Sequence, residues 1–141
     1  MPAHSQGIQF AALPYKVEDG KALVMLVTSR ETKRWILPKG QPEKDLKPHE
    51  VAKAEAYEEA GLKGSIAKKA FASFASTKRL KSGTERPVLV KVYLLRVEAE
   101  RGTWPEQGQR ERRWFTPAEA ATIVGEPELV PILLDFGSRW A

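Results

Sequence analysis

The sequence predicts a mixed α and β fold in which a β-sheet is covered by helices. Residues 87–98 alternate apolar and polar side chains, with Val88 and Val90 on one face, which is typical of a strand. Residues 22–28 form a nearly continuous apolar run, as expected for a strand covered on both faces. Residues 48–60 are rich in alanine and glutamate, which favour helix. Strands with helices between and after them predict a sheet packed against helices.

Length and composition indicate one ordinary domain over residues 1–141. Hydrophobic residues make up 42% of the chain and charged residues 29%, which excludes wholesale disorder. Cysteine is absent, so disulfides and a cysteine nucleophile are excluded and a reducing cytoplasm is the expected compartment. The longest wholly apolar run covers only residues 22–27, too few to span a membrane. Residues 1–7 have no basic stretch followed by an apolar one, so we expect no secretory signal.

Further strands are expected on either side of the first helix. Their apolar or alternating segments are residues 8–17, 22–28, 35–37, 70–76 and 112–115. The turn signal Glu18-Asp19-Gly20 joins the first two segments as an antiparallel hairpin. Residues 40–47 are polar and irregular, and they predict a loop.

Three helical segments are expected. In the first, Pro48 suits the first helical position, and Gly61 suits the left-handed residue just beyond the end. Thr116 and Glu119 form the pattern of a capping box that opens a second helix, which ends near Gly125. The third is predicted by apolar residues at helical spacing, namely Leu129, Ile132, Leu133, Phe136 and Trp140.

Three glutamates concentrate negative charge on the first helix. Glu55 and Glu59 are four residues apart and share a face, and Glu58 lies at its edge. Beside them runs a stripe of small side chains that lets the helix lie close to a sheet, formed by Ala52, Ala56 and Ala60. Crowded carboxylates are the ligands that Mg²⁺ or Mn²⁺ prefers. A solvated acidic face is the alternative, and from the spacing alone it is the more common situation.

The surrounding residues resemble the Nudix box, which is a glycine, five residues, a glutamate, seven residues, then Arg-Glu-apolar-any-Glu-Glu-any-Gly-apolar. The positions that fall in register over 23 residues are Gly40, Glu55, Ala56, Glu58, Glu59, Gly61 and Leu62. The preceding Trp35-Ile36-Leu37-Pro38-Lys39 is similar to the lead-in of the Nudix branch that cleaves diphosphoinositol polyphosphates and diadenosine polyphosphates. Residues 113–120 are similar to the late strand and helix start of many Nudix proteins.

This resemblance implies an α/β/α sandwich with a mixed sheet between helices. It also implies Mg²⁺-dependent hydrolysis of a pyrophosphate bond by a metal-activated water, with Mn²⁺ as a substitute. Carried over by position, Glu58 and Glu59 are metal ligands, and Glu55 is a ligand or the base that orients the water. Glu55 and Glu59 are therefore the catalytic candidates, and backbone carbonyls around Lys39 and Gly40 complete the metal shell.

Two positions depart from the Nudix box: Leu46 replaces its first glutamate and Ala54 replaces its arginine. In the family that arginine orients the catalytic glutamate, and losing such a residue typically costs about 10–100-fold in activity or metal affinity. Lys53 points about 100° away around the helix and is a poor substitute. We therefore expect reduced activity, which Ala54→Arg should raise.

A further carboxylate from outside the box is frequent in such sites. Glu106 and Glu111, which precede the late strand, are the candidates here. A solvated surface position is the more common situation for each of them.

Basic residues near the box predict phosphate binding, and the candidates are Lys33, Arg34 and Lys39. Residues 43–59 hold six acidic and three basic side chains, so the rest of this chain of net charge +5 is strongly basic. An acidic helix in a cationic surround suits a metal-bound small-molecule polyphosphate better than a membrane or a stable nucleic-acid partner.

The expected substrates are dinucleoside polyphosphates or diphosphoinositol polyphosphates. One alternative is a pyrophosphohydrolase acting on an RNA 5′-triphosphate or a nucleoside triphosphate. Another is a catalytically weak Nudix domain that binds a nucleotide or RNA as a sensor. The sequence makes no prediction of the oligomeric state.

Overall fold

The computed structural model describes residues 7–140, so the expectation of no secretory signal falls almost wholly outside the described residues. The strands are β1 (Gly7–Glu18), β2 (Lys21–Thr28), β3 (Trp35–Ile36), β4 (Lys39–Gly40), β5 (Leu62–Ile66), β6 (Ala72–Arg79), β7 (Glu85–Glu100) and β8 (Arg112–Phe115). The helices are α1 (Pro48–Ala60), α2 (Pro117–Ile123) and α3 (Val130–Ser138), with a 3₁₀ turn at Pro127–Leu129. No helix among the described residues is long and apolar enough to cross a membrane.

All eight strands belong to one mixed sheet with β1 at its centre. β1 runs antiparallel to β2 and β4 and parallel to β7. β7 also pairs antiparallel with β5 and β6, while β2 pairs antiparallel with β3 and β8. The predicted hairpin of β1 and β2 is confirmed, and its turn residues Asp19 and Gly20 have φ values of 52° and 78°. Two positive φ values in succession suit the right-handed twist of the two strands.

Helices cover both faces of the sheet, because successive side chains along a strand point to opposite faces. Phe10 and Ala12 of β1 belong to the apolar cluster under α1. Ala11 and Leu13 belong to the cluster under α2 and α3. The same alternation in β2 and β7 completes two cores, so the predicted α/β/α sandwich with a mixed sheet is confirmed.

Helix α1 has the predicted bounds and lies close to the sheet. Pro48 is its first residue, and Gly61 follows it with a left-handed φ of 68°. The small side chains that face the sheet are all fully buried, namely Ala52, Ala56 and Ala60. Their small size brings the backbone of α1 near the strands, which places Glu59 in the interior.

Two strands and one side chain differ from the sequence prediction. β4 forms because Lys39 and Gly40 pair with β1, a contact that no local pattern signals. β5 begins directly after α1 and pairs with the far end of β7, with an irregularity between Lys63 and Gly64. Trp140, predicted in the apolar stripe of the last helix, lies beyond the end of α3 at Ser138; it is 40% exposed, although its ring contacts those of Tyr15 and Phe136.

Candidate functional site

A cleft of about 810 Å³ lies beside the carboxyl-terminal half of α1, at one end of the sheet. Its walls come from β1, the loop between β2 and β3, β4, and the hairpin of β6 and β7. Its basic lining residues are Arg30, Arg34, Lys39, Arg79 and Arg110. Its acidic lining residues are Glu31, Glu59 and Glu85. The cleft is therefore rich in both signs of charge, with Glu59 the acidic residue that α1 contributes.

Glu55 and Glu59 lie one helical turn apart on α1, and their carboxyl groups affect each other's protonation. Burial and then the neighbouring carboxyl group of Glu55 raise the pKa of Glu59 to about 9, against the opposing effect of Arg110. Burial also raises the pKa of Glu55, and the charge of Glu58 adds to this increase. Glu59 is only 4% exposed, whereas Glu58 is exposed. At neutral pH the pair therefore retains a proton unless a cation replaces it.

Gly40 faces this pair. A Cβ atom at Gly40 would lie 2.6 Å from Oε2 of Glu55, so a side chain there would displace the carboxylate. β4 holds Gly40 against β1, where it pairs with Phe10. This pairing explains how the backbone of Lys39 and Gly40 comes to lie against α1.

The donor set around Glu55 and Glu59 consists of oxygen atoms, as Mg²⁺ and Mn²⁺ require. Within residues 7–140, no three carboxylate or imidazole groups already converge on one point as a metal cage. Buried Glu59 and half-buried Glu55, with the space that Gly40 leaves, nevertheless fit a divalent cation, which would take the place of the proton that the pair retains.

The segment 101–112 fixes the end of α1 that carries these glutamates. It donates hydrogen bonds to four successive backbone carbonyl groups. The carbonyl of Glu58 accepts from the N–H of Glu106 at 3.0 Å, and that of Gly61 accepts from the N–H of Arg101 at 2.8 Å. Between them, the carbonyl of Glu59 accepts from the indole of Trp104 at 3.1 Å, and that of Ala60 accepts from the guanidinium of Arg112 at 2.7 Å. The guanidinium of Arg112 also stacks on Trp104, 3.9 Å from the ring centroid. Carbonyl groups at a helix end need such partners when water is excluded.

The same segment brings Glu106 to the site. Its carboxylate accepts a hydrogen bond of 2.7 Å from Nε of Arg110, and its charge raises the pKa values of Glu55 and Glu59. Nη1 of Arg110 lies 3.9 Å from Oε1 of Glu59. Glu111 is exposed and does not line the cleft. Of the two loop candidates, only Glu106 lies beside the glutamates of α1.

Two of the three predicted phosphate ligands line the cleft. Nζ of Lys39 lies 2.9 Å from Oε1 of Glu126, a largely buried pair whose other carboxylate oxygen accepts from Ser76. Arg34 lines the cleft and donates to the carbonyl of Gly125 at 3.2 Å. Lys33 lies outside the cleft lining, with its ammonium 3.5 Å from the carbonyl of Gln109.

No neighbouring residue in sequence replaces the glutamate missing at position 46 or the arginine missing at position 54. Leu46 is 40% exposed in the loop before α1. Glu50 accepts a hydrogen bond of 2.7 Å from the backbone N–H of Lys47 and so caps the start of α1. Lys53 is exposed, and Ala54 is half-buried.

Sequence reasoning missed several residues that shape the cleft. In the sequence Arg110 is one of many basic residues, and no motif around Trp104 or Glu126 predicts that they contribute to a site. Gln9 is 8% exposed and lines the cleft, and its Oε1 atom has no hydrogen-bond partner in the described part of the chain. These residues belong to strands and loops far apart in sequence, so only the fold brings them to α1.

Comparison with known proteins gives one family and several relatives. The family model described as the NUDIX domain matches residues 8–136. "Nudix hydrolase 16, mitochondrial" of Arabidopsis thaliana is 30% identical over 131 residues, which cover 87% of this chain and 70% of that protein. Diphosphoinositol polyphosphate phosphohydrolase 3-beta of Homo sapiens is 29% identical over 116 residues, which cover 81% of this chain and 66% of that protein. The chain spans 50% to 70% of the length of such curated relatives.

A solved structure supports the same fold. The crystal structure of C. elegans Ap4A hydrolase superposes with a TM-score of 0.69. The match covers 96% of this chain and 99% of that chain at 18% sequence identity. At this level of identity the likeness concerns the fold.

Proposed function

The chain belongs to the NUDIX domain family, as the box around Glu55 and Glu59 predicts, and we propose that it hydrolyses a pyrophosphate bond in a small polyphosphate with the help of Mg²⁺. The observation that carries this proposal is the Glu55–Glu59 pair: Glu59 is buried and lines a cleft rich in basic residues, and half-buried Glu55 faces Gly40. Such a pair is costly to bury as a structural feature alone, which favours a role in chemistry.

The proposed metal ligands are Glu55, Glu58, Glu59 and the main chain at Gly40. A cation held there would neutralise phosphate charge and lower the pKa of a water molecule, which would then lose a proton and attack phosphorus more readily; Mn²⁺ would be a substitute for Mg²⁺. Glu55 and Glu59 are the proposed catalytic residues, because a carboxylate near the water accepts its proton. Gly40 leaves the space that the Glu55 carboxylate occupies.

The cleft also supports a polyphosphate as the substrate class. Its volume of about 810 Å³ is within the range of small-molecule sites. Arg34 and Lys39 are the proposed phosphate ligands inside it, and Lys33 stands at its outer edge as a weaker candidate. Lys39 would exchange Glu126 for phosphate, since an ammonium group is a mobile point charge.

Dinucleoside polyphosphates and diphosphoinositol polyphosphates are the substrates we favour. The names of a human relative and of a C. elegans structural neighbour refer to these two classes. We expect a small-molecule substrate, no stable nucleic-acid partner and a cytoplasmic location, the last because the chain has no cysteine. The name of one Arabidopsis thaliana relative includes the word mitochondrial. Fluorescence imaging of the tagged protein in cells would test the cytoplasmic location.

The test is turnover of a substrate panel by the purified protein with Mg²⁺. The panel contains dinucleoside polyphosphates, diphosphoinositol polyphosphates, nucleoside triphosphates and a 5′-triphosphorylated RNA. We expect hydrolysis of one of the first two classes, and a fall in kcat of about 10²–10⁴-fold in Glu59→Gln. The matched control is Glu98→Gln, an exposed glutamate on β7 that hydrogen-bonds Ser65.

Tight binding without turnover at any Mg²⁺ or Mn²⁺ concentration would contradict the hydrolase proposal. That result would instead favour a catalytically weak sensor domain, an alternative that the departures from the box at Leu46 and Ala54 support. Turnover of the RNA or the nucleoside triphosphates alone would keep the enzyme and change its substrate.

A further inference from the structure

We propose that Arg110 is a positioning residue that orients Glu59 and Glu106, a role like the one that the box arginine, absent at position 54, has for the catalytic glutamate. The inference rests on the proposed function, since it concerns how glutamates of the same site are oriented. It starts from two observations: the box lacks its arginine, and an arginine from outside the box, Arg110, lies beside Glu59.

Arg110 lies between two carboxylates of the site. Its Nε donates to Oε1 of Glu106 at 2.7 Å, and its Nη1 lies 3.9 Å from Oε1 of Glu59. Within residues 7–140, no other basic side chain comes within 4.0 Å of the Glu59 carboxylate. A guanidinium presents several N–H groups in a rigid fork, so one side chain can serve both partners.

The side chain of Arg110 is also buried and anchored. It is only 9% exposed, and its Nη1 donates to the carbonyl of Thr28 at 3.1 Å. The backbone of the next residue, Glu111, makes two hydrogen bonds with Thr28: its N–H donates to the side-chain Oγ1 at 2.9 Å, and its carbonyl accepts from the Thr28 N–H at 3.1 Å. These bonds attach Arg110 and Glu111 to Thr28, the last residue of β2, and so fix the position of the Arg110 guanidinium.

Burial makes this contact consequential. Exposed ion pairs contribute little, because water screens them and both side chains are mobile. The side chains of Arg110 and Glu59 are only 9% and 5% exposed, so water cannot take the place of the guanidinium once it is removed. The Glu59 carboxylate would then be free to reorient, and cation binding would weaken.

An arginine at position 54 would lie on α1, whereas Arg110 reaches Glu59 and Glu106 from the loop before β8. The site therefore already contains one cation next to its glutamates. Ala54→Arg would add a second cation, one helical turn from Glu58. It should leave kcat within about twofold of the wild type, in contrast to the increase expected from the sequence.

The experiment compares Arg110→Ala with the wild type and with Arg139→Ala. Arg139 is a matched control, because it is exposed directly after α3 and pairs with Asp135 on that helix. Three constants are measured: the Kd of Mn²⁺ without substrate, by electron paramagnetic resonance, and kcat and KM on the best substrate of the panel. We expect the Mn²⁺ Kd to rise and kcat to fall, each about 10–100-fold, while KM changes little.

Three results would overturn the proposal. A rise in KM with an unchanged Mn²⁺ Kd would make Arg110 a ligand of substrate phosphate. Unchanged values of all three constants would leave it without a role at the site. A tenfold increase in kcat by Ala54→Arg would mean that the box arginine has no replacement.

A melting curve of Arg110→Ala guards against loss of the fold. If that variant does not fold, Arg110→Gln serves instead, because its amide can still donate to the carbonyl of Thr28 without a charge. The Mn²⁺ Kd needs no turnover. A protein that binds Mn²⁺ but hydrolyses nothing would therefore refute the proposed function while the role of Arg110 remained measurable.

Discussion

The helices on the two faces of the sheet bury different kinds of side chain. α3 buries the large apolar residues Ile132, Leu133 and Phe136. α1 buries mainly alanine and valine, together with the carboxyl group of Glu59. Burying large apolar side chains stabilises a fold, whereas burying a carboxyl group opposes it.

This difference indicates a division between stability and chemistry. Because its alanines contribute little buried area, α1 depends on contacts at its end, where the segment 101–112 satisfies four carbonyl groups. Those contacts also set the position of Glu59. The face under α3 holds the fold together, and the face under α1 is arranged around the glutamates.

The largest effect on stability is expected on the α3 face. Phe136 is 1% exposed and packs against the rings of Tyr15, at 5.3 Å, and Phe71, at 6.2 Å. Phe136→Ala should lower the free energy of unfolding by about 3–5 kcal/mol, because it removes a buried ring and leaves a cavity. Urea denaturation measures this loss, and the kcat of the folded protein should stay within about twofold of the wild type.

The control on the same helix is Leu134→Ala. Leu134 is 50% exposed, so its truncation should change the free energy of unfolding by less than about 0.5 kcal/mol. If Phe136→Ala abolished turnover at a temperature where the variant is folded, the division between the two faces would be wrong.

A smaller effect, on metal affinity and not on stability, is expected on the α1 face. In Gly40→Ala the new Cβ would meet the Glu55 carboxylate, which can move aside because it ends a flexible side chain. The fold should survive, while the Mn²⁺ Kd should rise about tenfold as a ligand is displaced. The measurement is a Mn²⁺ titration alongside a melting curve.

Gly108→Ala provides the matched comparison, since a Cβ at Gly108 would meet no atom within 4 Å. It should leave the Mn²⁺ Kd unchanged. Equal Kd values for Gly40→Ala and the wild type would show that Glu55 does not bind the cation.

The sequence predicts the regular elements well where their signals are local. Pro48 and Gly61 mark both ends of α1, and the bonds between Thr116 and Glu119 form the predicted capping box at α2. β4 and β5 were missed because they exist through pairing with β1 and β7, strands distant in sequence. A two-residue strand such as β4 has no periodicity of its own.

The site divides in the same way. Glu55, Glu58 and Glu59 lie on one helix, so helical spacing alone brings them together. Arg110 and Glu106 come from a loop after β7, and their place beside Glu59 depends on the register of β8 with β2. A single sequence carries no signal for that register, which is why Arg110 could not be told apart from other basic residues.

The smallest effect expected concerns pH, and it tests whether Glu59 opposes stability. Its pKa is about 9 in the folded protein and near 4.5 when unfolded. Between these values the folded state binds more protons, so stability should fall as pH rises through this window. The metal-free protein should lose a few degrees in Tm from about pH 7 to about pH 8, at about 2–4 °C per kcal/mol.

Glu59→Gln cannot release this proton, so its Tm should change less with pH, whereas Glu98→Gln should keep the wild-type slope. Mg²⁺ should raise the wild-type Tm more at the higher pH, because the cation and the proton compete for the same carboxylates. Thermal melts with EDTA and with Mg²⁺ measure both effects. An equal slope in Glu59→Gln and the wild type would mean that the buried pair does not hold the proton, and the contrast between the two faces would then rest on packing alone.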